Sequence, residues 1–582
     1  MSTFKKVVAI LLTLIATLSV SACGGESGNG DNGGNNGGGA VEEQIDTSKT
    51  QIYVYNFNGG FGSEWLVKLG DRFEALHEND VYEEGKKGVQ VWVDNKKTSI
   101  ESISSQVLDN RSEIYFTEYA YYYTLKSLGI LGDITDAVTG DLSAYGDAAG
   151  KTIESKLTDE QKAYYGVKEG GETHYYGIPH YAGYSGLVYN VDLFNQKCWY
   201  FAKNPVPELG LMGYFVESLS DERSYGPDGK TGVINGVDYS ADDGLPSTYE
   251  EFYILCDYIA QSGQQALLWS GQHRKHYINN LISALETDYN GLEESMLMYN
   301  LNGTAKNLGT IVNGAFVKDS TDTIITSENG YETFRTEGRY RALEFVQKIA
   351  TTDKWHNPTK TESDTYSHMN AQEDYLYAGH DGGFTAETAM LVEGIWWENE
   401  ATPYFNTMVD RQGESFSRLN RKFAWMPLPK ANAELVGTED TLYDHIYSMC
   451  FMKANVAEWK RDLLIEFIKF ANSDVSLKEF SQVTNTPKAL SYTMSDAEMT
   501  GMSYFGKSLM ATKQQSQIVY PYSTTPKYIN NQGWYSSLRL FEATFTIDED
   551  YPIVGFTDKN YSAAQWFTAS YNRKKNDWAY LQ

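Results

Sequence analysis

The chain has 582 residues, 41% hydrophobic and 21% charged, with 44 tyrosines, 12 tryptophans and a net charge of −29. That length exceeds one ordinary core, and the composition is that of a folded globular body, not of a disordered or membrane-embedded chain. The negative charge excludes nucleic-acid phosphate as a partner, which needs clustered Lys and Arg, and disfavours anionic ligands; neutral, hydroxyl-rich ligands remain.

The first 22 residues carry Lys5 and Lys6, an apolar run over 7–20, and small residues before Cys23. This is the layout of a secretory leader, too short for a comfortable membrane span. The "VSAC" ending resembles the lipobox of bacterial lipoproteins, which implies cleavage before Cys23 and lipidation of its sulfur. Residues 23–49 open with "CGGESGNGDNGGNNGGGA", a Gly/Asn tether with nothing to fold around. Cys198, Cys256 and Cys450 show no metal-ligand spacing and no disulfide framework; Cys256 and Cys450 read as small buried hydrophobes.

The body starts near residue 50. "QIYVYNF" alternates as a strand, "GGFG" breaks it, and Ser63 is placed to cap a helix with Leu66, Leu69, Phe73 and Leu76 on one face. "GVQVWVD" is the next strand, "SIESISSQVLDN" a short helix, and "SEIYFTEY" a third strand. That succession predicts a parallel α/β sheet, whose ligands sit beyond the carboxyl ends of the strands, at "NFNGGFG" and "FTEYAYY". "YYGIPHYAGYSGLVYNVDLF" passes through a Gly–Pro region into a strand, and residues 218–245 read as an inserted loop. "LPSTYEEF" opens a helix at Ser247 or Thr248, with acids at its positive end. "RYRALEFVQKIAT" is amphipathic, "AMLVEGIWW" a buried strand, and "YDHIYSMCFMKAN" a strand pair or a strand and turn. "VAEWKRDLLIEFIKFANS" is a helix with Val456, Trp459, Leu463, Phe467 and Phe470 near one face. Asp228, Asp238, Asp242 and Asp243 do not follow calcium-loop spacing and read as a solvated acidic loop, so no metal is expected.

Several segments match one pattern in order: "GGFGSEWLVKLGDRFEALH", "EIYFTEYAYYYTLKSLGILGDITDAV", "YYGIPHYAGYSGLVYNVDLF", "LPSTYEEF", "AETAMLVEGIWW", "MPLPK" and "WKRDLLIEFIKFANSD". Together they resemble the family 1 extracellular solute-binding proteins of bacterial ABC importers, the sugar-binding group that includes maltodextrin-binding protein. The resemblance implies an α/β, two-lobed periplasmic-binding-protein-like fold with an interlobe ligand cleft and hinge crossings. It implies a first lobe from 50–178 and 428–486, and a second from 179–427 and 487–582. It also implies a monomer that captures an oligosaccharide without chemistry or cofactor, serves permease subunits, and is held on the outer face of the cell membrane through Cys23. This chain is longer than the typical member, with extra length near 200–245 and 288–330 and in the tail.

Sugar rings present apolar faces and hydroxyl rims, so a sugar cleft needs aromatic platforms beside acids and amides. Trp396 falls on the family's Gly-x-Trp platform, and Glu118 and Tyr119 fall in its strand-end loop. Phe61, Tyr181, Tyr184 and the loop-context aromatics Trp269 and Trp534 complete the candidate set; the competing role is turn chemistry at Phe61 and core packing at Tyr181 and Tyr184. Trp397, on the opposite face of an extended strand, is expected in core or interlobe packing, and Trp65 in the core. A surface glycoside hydrolase, needing two carboxylates about 5 to 9.5 Å apart, and a carbohydrate-binding adhesin are the alternatives. The chain has no Gly-x-Ser-x-Gly, His-Glu-x-x-His or P-loop motif.

Overall fold

The computed structural model describes residues 45–98, 100–118, 121–234, 237–380, 383, 386–532 and 551–581. The predicted leader, Cys23 and most of the Gly/Asn segment lie outside these residues, as do Tyr119 and Trp534.

The strands that build the body are, in chain order, β1 (Thr50–Phe57), β2 (Val89–Lys96), β3 (Ile114–Thr117), β4 (Ile178–Pro179), β5 (Ser185–Asn190), β6 (Gln265–Leu268), β7 (Thr388–Gly394), β8 (Phe423–Met426), β9 (Thr441–Tyr443), β10 (Met449–Met452) and β11 (Gln517–Val519). Together they form three sheets, with β9 paired to β11 in the smallest, and β4 closing the edge of the first. The first sheet has the order β2-β1-β3-β10-β4; its β1 pairs with β2 and β3 in parallel, and β10 runs antiparallel to β3 and β4. The second has the order β6-β7-β5-β8, with β5 antiparallel to both neighbours. Each sheet has its own apolar core. Ile52, Val54, Phe116 and Phe451 belong to the first, and Leu187, Leu267, Met390 and Val392 to the second. Leu391 joins the first cluster while Met390 and Val392 join the second. A strand buried on both faces reads as an unbroken apolar run, which is why "AMLV" does not alternate.

Helix α1 (Glu64–Leu76) follows β1 and turns Leu66, Leu69 and Phe73 inward. Gly70 lets it settle on β2, since a Cβ there would lie 3.2 Å from the Cβ of Val91. Ser63 makes no side-chain cap, contrary to expectation: its backbone (φ −123°, ψ −1°) is not in the extended geometry a capping hydroxyl uses. The second lobe is built around α2 (Tyr249–Gln261), α3 (Arg274–Asn300), α4 (Glu337–Ala350), α5 (His368–Tyr377) and the short α6 (Trp397–Glu400). Thr248 caps α2 by accepting from the Glu251 amide. Helices α7 (Glu458–Ala471), α8 (Asp474–Thr484), α9 (Tyr504–Gln515) and α10 (Ala563–Trp578) complete the body. Trp459, expected on the apolar face of α7, is 51% exposed; the buried side begins at Lys460 and continues through Leu463, Leu464, Phe467 and Ile468.

The chain passes from the first sheet to the second between β4 and β5, returns between β8 and β10, and passes again between α8 and α9, where Ser508 of α9 accepts from the Trp425 amide of β8. These passages lie side by side. The Ala182 amide donates to the Pro487 carbonyl (3.1 Å), the His445 amide to the Gly183 carbonyl (3.0 Å), and the Tyr181 amide to the Ser448 hydroxyl (2.9 Å). Gly183 is required here, because a Cβ would sit 1.9 Å from Cγ1 of Ile446. Lys488, on the third passage, is 1% exposed; its Nζ lies 2.7 Å from Nδ1 of His180 and 4.3 Å from the centre of the Phe480 ring. Burial among these rings brings the Lys488 ammonium down to about 7.

Candidate interlobe site

The loop after β1 carries Asn58-Gly59-Gly60-Phe61-Gly62, and Asn58 Oδ1 ties it by accepting from the Gly62 amide (3.1 Å). Glycines at 59 and 60 let this loop press against groups from elsewhere. A Cβ on Gly59 would lie 1.9 Å from Oε1 of Glu118, at the end of β3, and 3.0 Å from the Tyr181 hydroxyl on the first passage. A Cβ on Gly60, whose φ is +103°, would lie 2.9 Å from the Cβ of Trp396 and 3.1 Å from Cγ of Glu400. Strand ends of the first lobe therefore meet the end of β7 and α6 of the second at van der Waals distance.

On the second-lobe side the strand stops at Gly394. Trp396 is helical (φ −81°, ψ −15°) and caps α6, so the tryptophan pair does not alternate across a strand as expected. The helical turn nonetheless separates the two rings. Trp397 is fully buried among Tyr375, Phe405, Phe423 and Phe505. Trp396 is half-buried and folds back over Gly394, where a Cβ would lie 2.2 Å from its Cη2; only glycine leaves that space. Its indole N–H donates to Oε1 of Glu393 (3.0 Å), and its ring meets that of His445 edge-on at 6.1 Å.

Three carboxyl groups face this region and feel one another's charge. Glu118 is 5% exposed and Glu393 is 1% exposed. Burial, and then the charge of Glu400, hold both well above the usual carboxylate range. Burial pushes Glu400 up to about 7, against a bond donated by Nε2 of Gln372 (3.0 Å) and the field of Lys97. The Tyr277 hydroxyl, from the first turn of α3, faces Glu393. His368 of α5 lies 3.9 Å from Glu400 and is brought down to about 4 by burial, His273 and Lys97. Glu393 Oε2 and the Tyr181 hydroxyl are buried with no hydrogen-bond partner among the described residues.

Of the predicted site residues, Phe61, Glu118, Tyr181 and Trp396 are brought together. The Phe61 ring turns into the first core, 4.5 Å from the Tyr181 ring centre. Tyr184 is 1% exposed and faces Asp444, Tyr492 and Tyr520 within the passages. Trp269 is 1% exposed in the second core, its indole N–H donating to the Thr361 carbonyl (3.0 Å) and its ring 4.6 Å from that of His356. Glu393, Tyr277, His368 and Gln372 were not predicted. A lone glutamate inside the apolar run "AMLVEGIWW" is the one local signal that could have singled out Glu393. The acidic loop also differs from expectation: Asp228 and Asp242 are 8% and 5% exposed, not solvated, because Asp242 accepts from the Asp228 amide and packs on Gly226. Among the described residues no group of three His, Cys, Asp or Glu side chains is arranged to hold a metal ion.

The sequence matches no family model and no curated protein. Solved structures do resemble it. The cyclic α-maltosyl-1,6-maltose binding protein of Arthrobacter globiformis is 10% identical, over 91% of this chain and 99% of that one, with a TM-score of 0.48. A family 1 extracellular solute-binding protein of Bifidobacterium longum subsp. infantis is 13% identical over 92% and 100%, with a TM-score of 0.47. SBP RafE, solved in complex with raffinose, is 12% identical over 91% and 100%, with a TM-score of 0.51. At such identity the likeness concerns the fold, and the last comparison gives this chain the two-lobed α/β architecture of a solute-binding protein.

Proposed function

We propose that the protein is a binding protein that captures a carbohydrate between its two lobes and delivers it, intact, to an ABC permease. The observation that carries this reading is the meeting of Gly59, Gly60 and Glu118 with Trp396 and Glu400 across the lobes. A half-buried indole face beside carboxyl groups, a tyrosine hydroxyl and an amide suits a ring with an apolar face and a hydroxyl rim. Bending at the three adjacent passages would open the lobes to admit the solute and close them over it. RafE, of the same fold, was solved with a trisaccharide, which agrees with an oligosaccharide ligand. The leader and Cys23 support export and lipid anchoring, with the Gly/Asn segment as the tether to the membrane surface.

A glycoside hydrolase is the competing reading, and it would leave cleaved sugar behind. The test is calorimetry of the purified protein against a panel of oligosaccharides, followed by chromatography of the recovered sugar. Binding with the sugar unchanged supports capture. Released products, or no binding by any member of the panel, would reject it.

A further inference from the structure

Among the described residues the three acids, like Asp228, Asp242 and Asp444, lack the ion pair that holds other buried acids of this protein. Asp288 is paired with Lys430 at 2.8 Å, Glu113 with Lys460 at 2.6 Å, and Glu398 with Arg418 at 3.0 Å. No such cation stands against Glu118 or Glu393 among the described residues. The groups that face the cluster are Tyr277 and His273 from the α3 region, His368 and Gln372 from α5, Trp396, and Lys97 beyond β2. Of these His368 is held neutral, and Lys97 is exposed and acts only through its field. Two buried polar atoms point into this space without a partner, Glu393 Oε2 and the Tyr181 hydroxyl. The second of these and Oε1 of Glu118 both lie within 3.0 Å of the position a Gly59 Cβ would take. Buried carboxyl groups without a counter-charge are costly unless a cation or a proton supplies it.

We propose that the captured sugar carries a primary amine, held as an ammonium group between the Trp396 ring and the carboxylates of Glu118, Glu393 and Glu400. This rests on the carbohydrate-capture reading above and narrows it to aminated sugars. An ammonium has three donors to share among the carboxyl and hydroxyl oxygens around it, and an indole face attracts a cation. The net charge of −29 draws cations toward the cleft at long range. The arriving charge displaces protons that burial otherwise keeps on the acids, so binding the amine releases protons to solvent.

The experiment is titration calorimetry of the full-length protein at pH 7 with oligomers of glucosamine and galactosamine, each against its N-acetylated counterpart and a neutral oligomer of equal length. We expect the free amine to bind at least roughly tenfold more tightly than its N-acetylated match. Its heat should differ between phosphate and Tris buffers, which reports the released protons. Glu393→Gln, isosteric and still able to accept from the Trp396 N–H, should bring that ratio to within about twofold in a protein whose circular dichroism is unchanged. Equal or tighter binding of the N-acetylated or neutral sugars overturns the amine proposal and leaves carbohydrate capture standing. No binding of any of them overturns both.

Discussion

Gly60→Ala separates closure from folding. Gly60 has φ +103°, a conformation that L-residues rarely adopt, and an added methyl would stand 2.9 Å from the Cβ of Trp396 and 3.1 Å from Cγ of Glu400. A Cβ is fixed to its backbone and cannot swing away, so the lobes themselves must yield. Overpacking of this kind costs about 1 to 3 kcal/mol, which is about five- to 150-fold in affinity. The cost falls on the closed form alone, because Trp396 and Glu400 belong to the other lobe. The backbone strain, of order 1 to 3 kcal/mol, is present open or closed; it lowers the melting temperature and cancels from the affinity. Gly62→Ala supplies the control, since Gly62 has φ +70° with nothing within 4 Å of its Cβ position. Calorimetry with the tightest sugar of the panel and thermal melts of both variants make the comparison. Gly60→Ala should lose both affinity and melting temperature, and Gly62→Ala melting temperature alone. Unchanged affinity in Gly60→Ala, or an equal loss in both, would refute closure of this loop on Trp396.

Three further outcomes follow from the geometry. Trp396→Ala should weaken sugar binding by at least roughly tenfold, in the range of about 1 to 3 kcal/mol seen for aromatic platforms under planar ligands; a folded variant of unchanged affinity would remove Trp396 from the site. Glu400, held at about 7 against 4.5 for the free group, keeps its proton when folded over a pH range in which the unfolded chain has lost it. Raising the pH from about 4.5 to 7 therefore costs stability, and above 7 the loss is complete; Glu400→Gln should flatten that part of the melting-temperature profile, and parallel profiles would contradict the assignment. Lys430→Ala strips the 1%-exposed amine from Asp288 (2.8 and 3.0 Å) and Asp440 (2.6 Å). Removing one partner of such a pair costs about 3 to 5 kcal/mol; a urea midpoint within error of the parent would show that Asp288 finds another partner.

Much of the first lobe was legible because its signals are local. "QIYVYNF" and "GVQVWVD" carry their alternation and β-formers within seven residues, and the glycines of "GGFG" announce a close approach at the strand end. The position of Glu118 followed from the same logic of strand termini, whereas that of Trp396 came only from the resemblance to the family's Gly-x-Trp pattern. The tryptophan pair was misread in its local geometry because nothing in "EGIWW" marks the end of a strand; Gly394 ends β7 there to make room for the Trp396 ring. Trp269 was misjudged for a non-local reason. Its indole N–H is satisfied by the Thr361 carbonyl, 92 residues away, so the core can hold it without penalty. Tyr277, His368 and Gln372 sit on helices whose orientation is decided by packing on the second sheet. No periodicity tells which of their faces meets β7.

The first sheet is completed late. Strand β10 (Met449–Met452) lies between β3 and β4, so residues 114–117 find one of their two neighbours more than 330 residues downstream. The second lobe draws on α10 in the same way, where Trp578 donates to the Ser327 carbonyl (2.9 Å). A ribosome that has made the first 448 residues has made all four strands of the second sheet but left the first unfinished, with the open edge of β3 available to any passing strand. Long-range pairings of this kind are slow to form and expose apolar surface while they wait. The discontinuity that gives the lobes a shared hinge thus also delays the first sheet until residues 449–452 have been made, and leaves the nascent chain dependent on whatever keeps its edges apart.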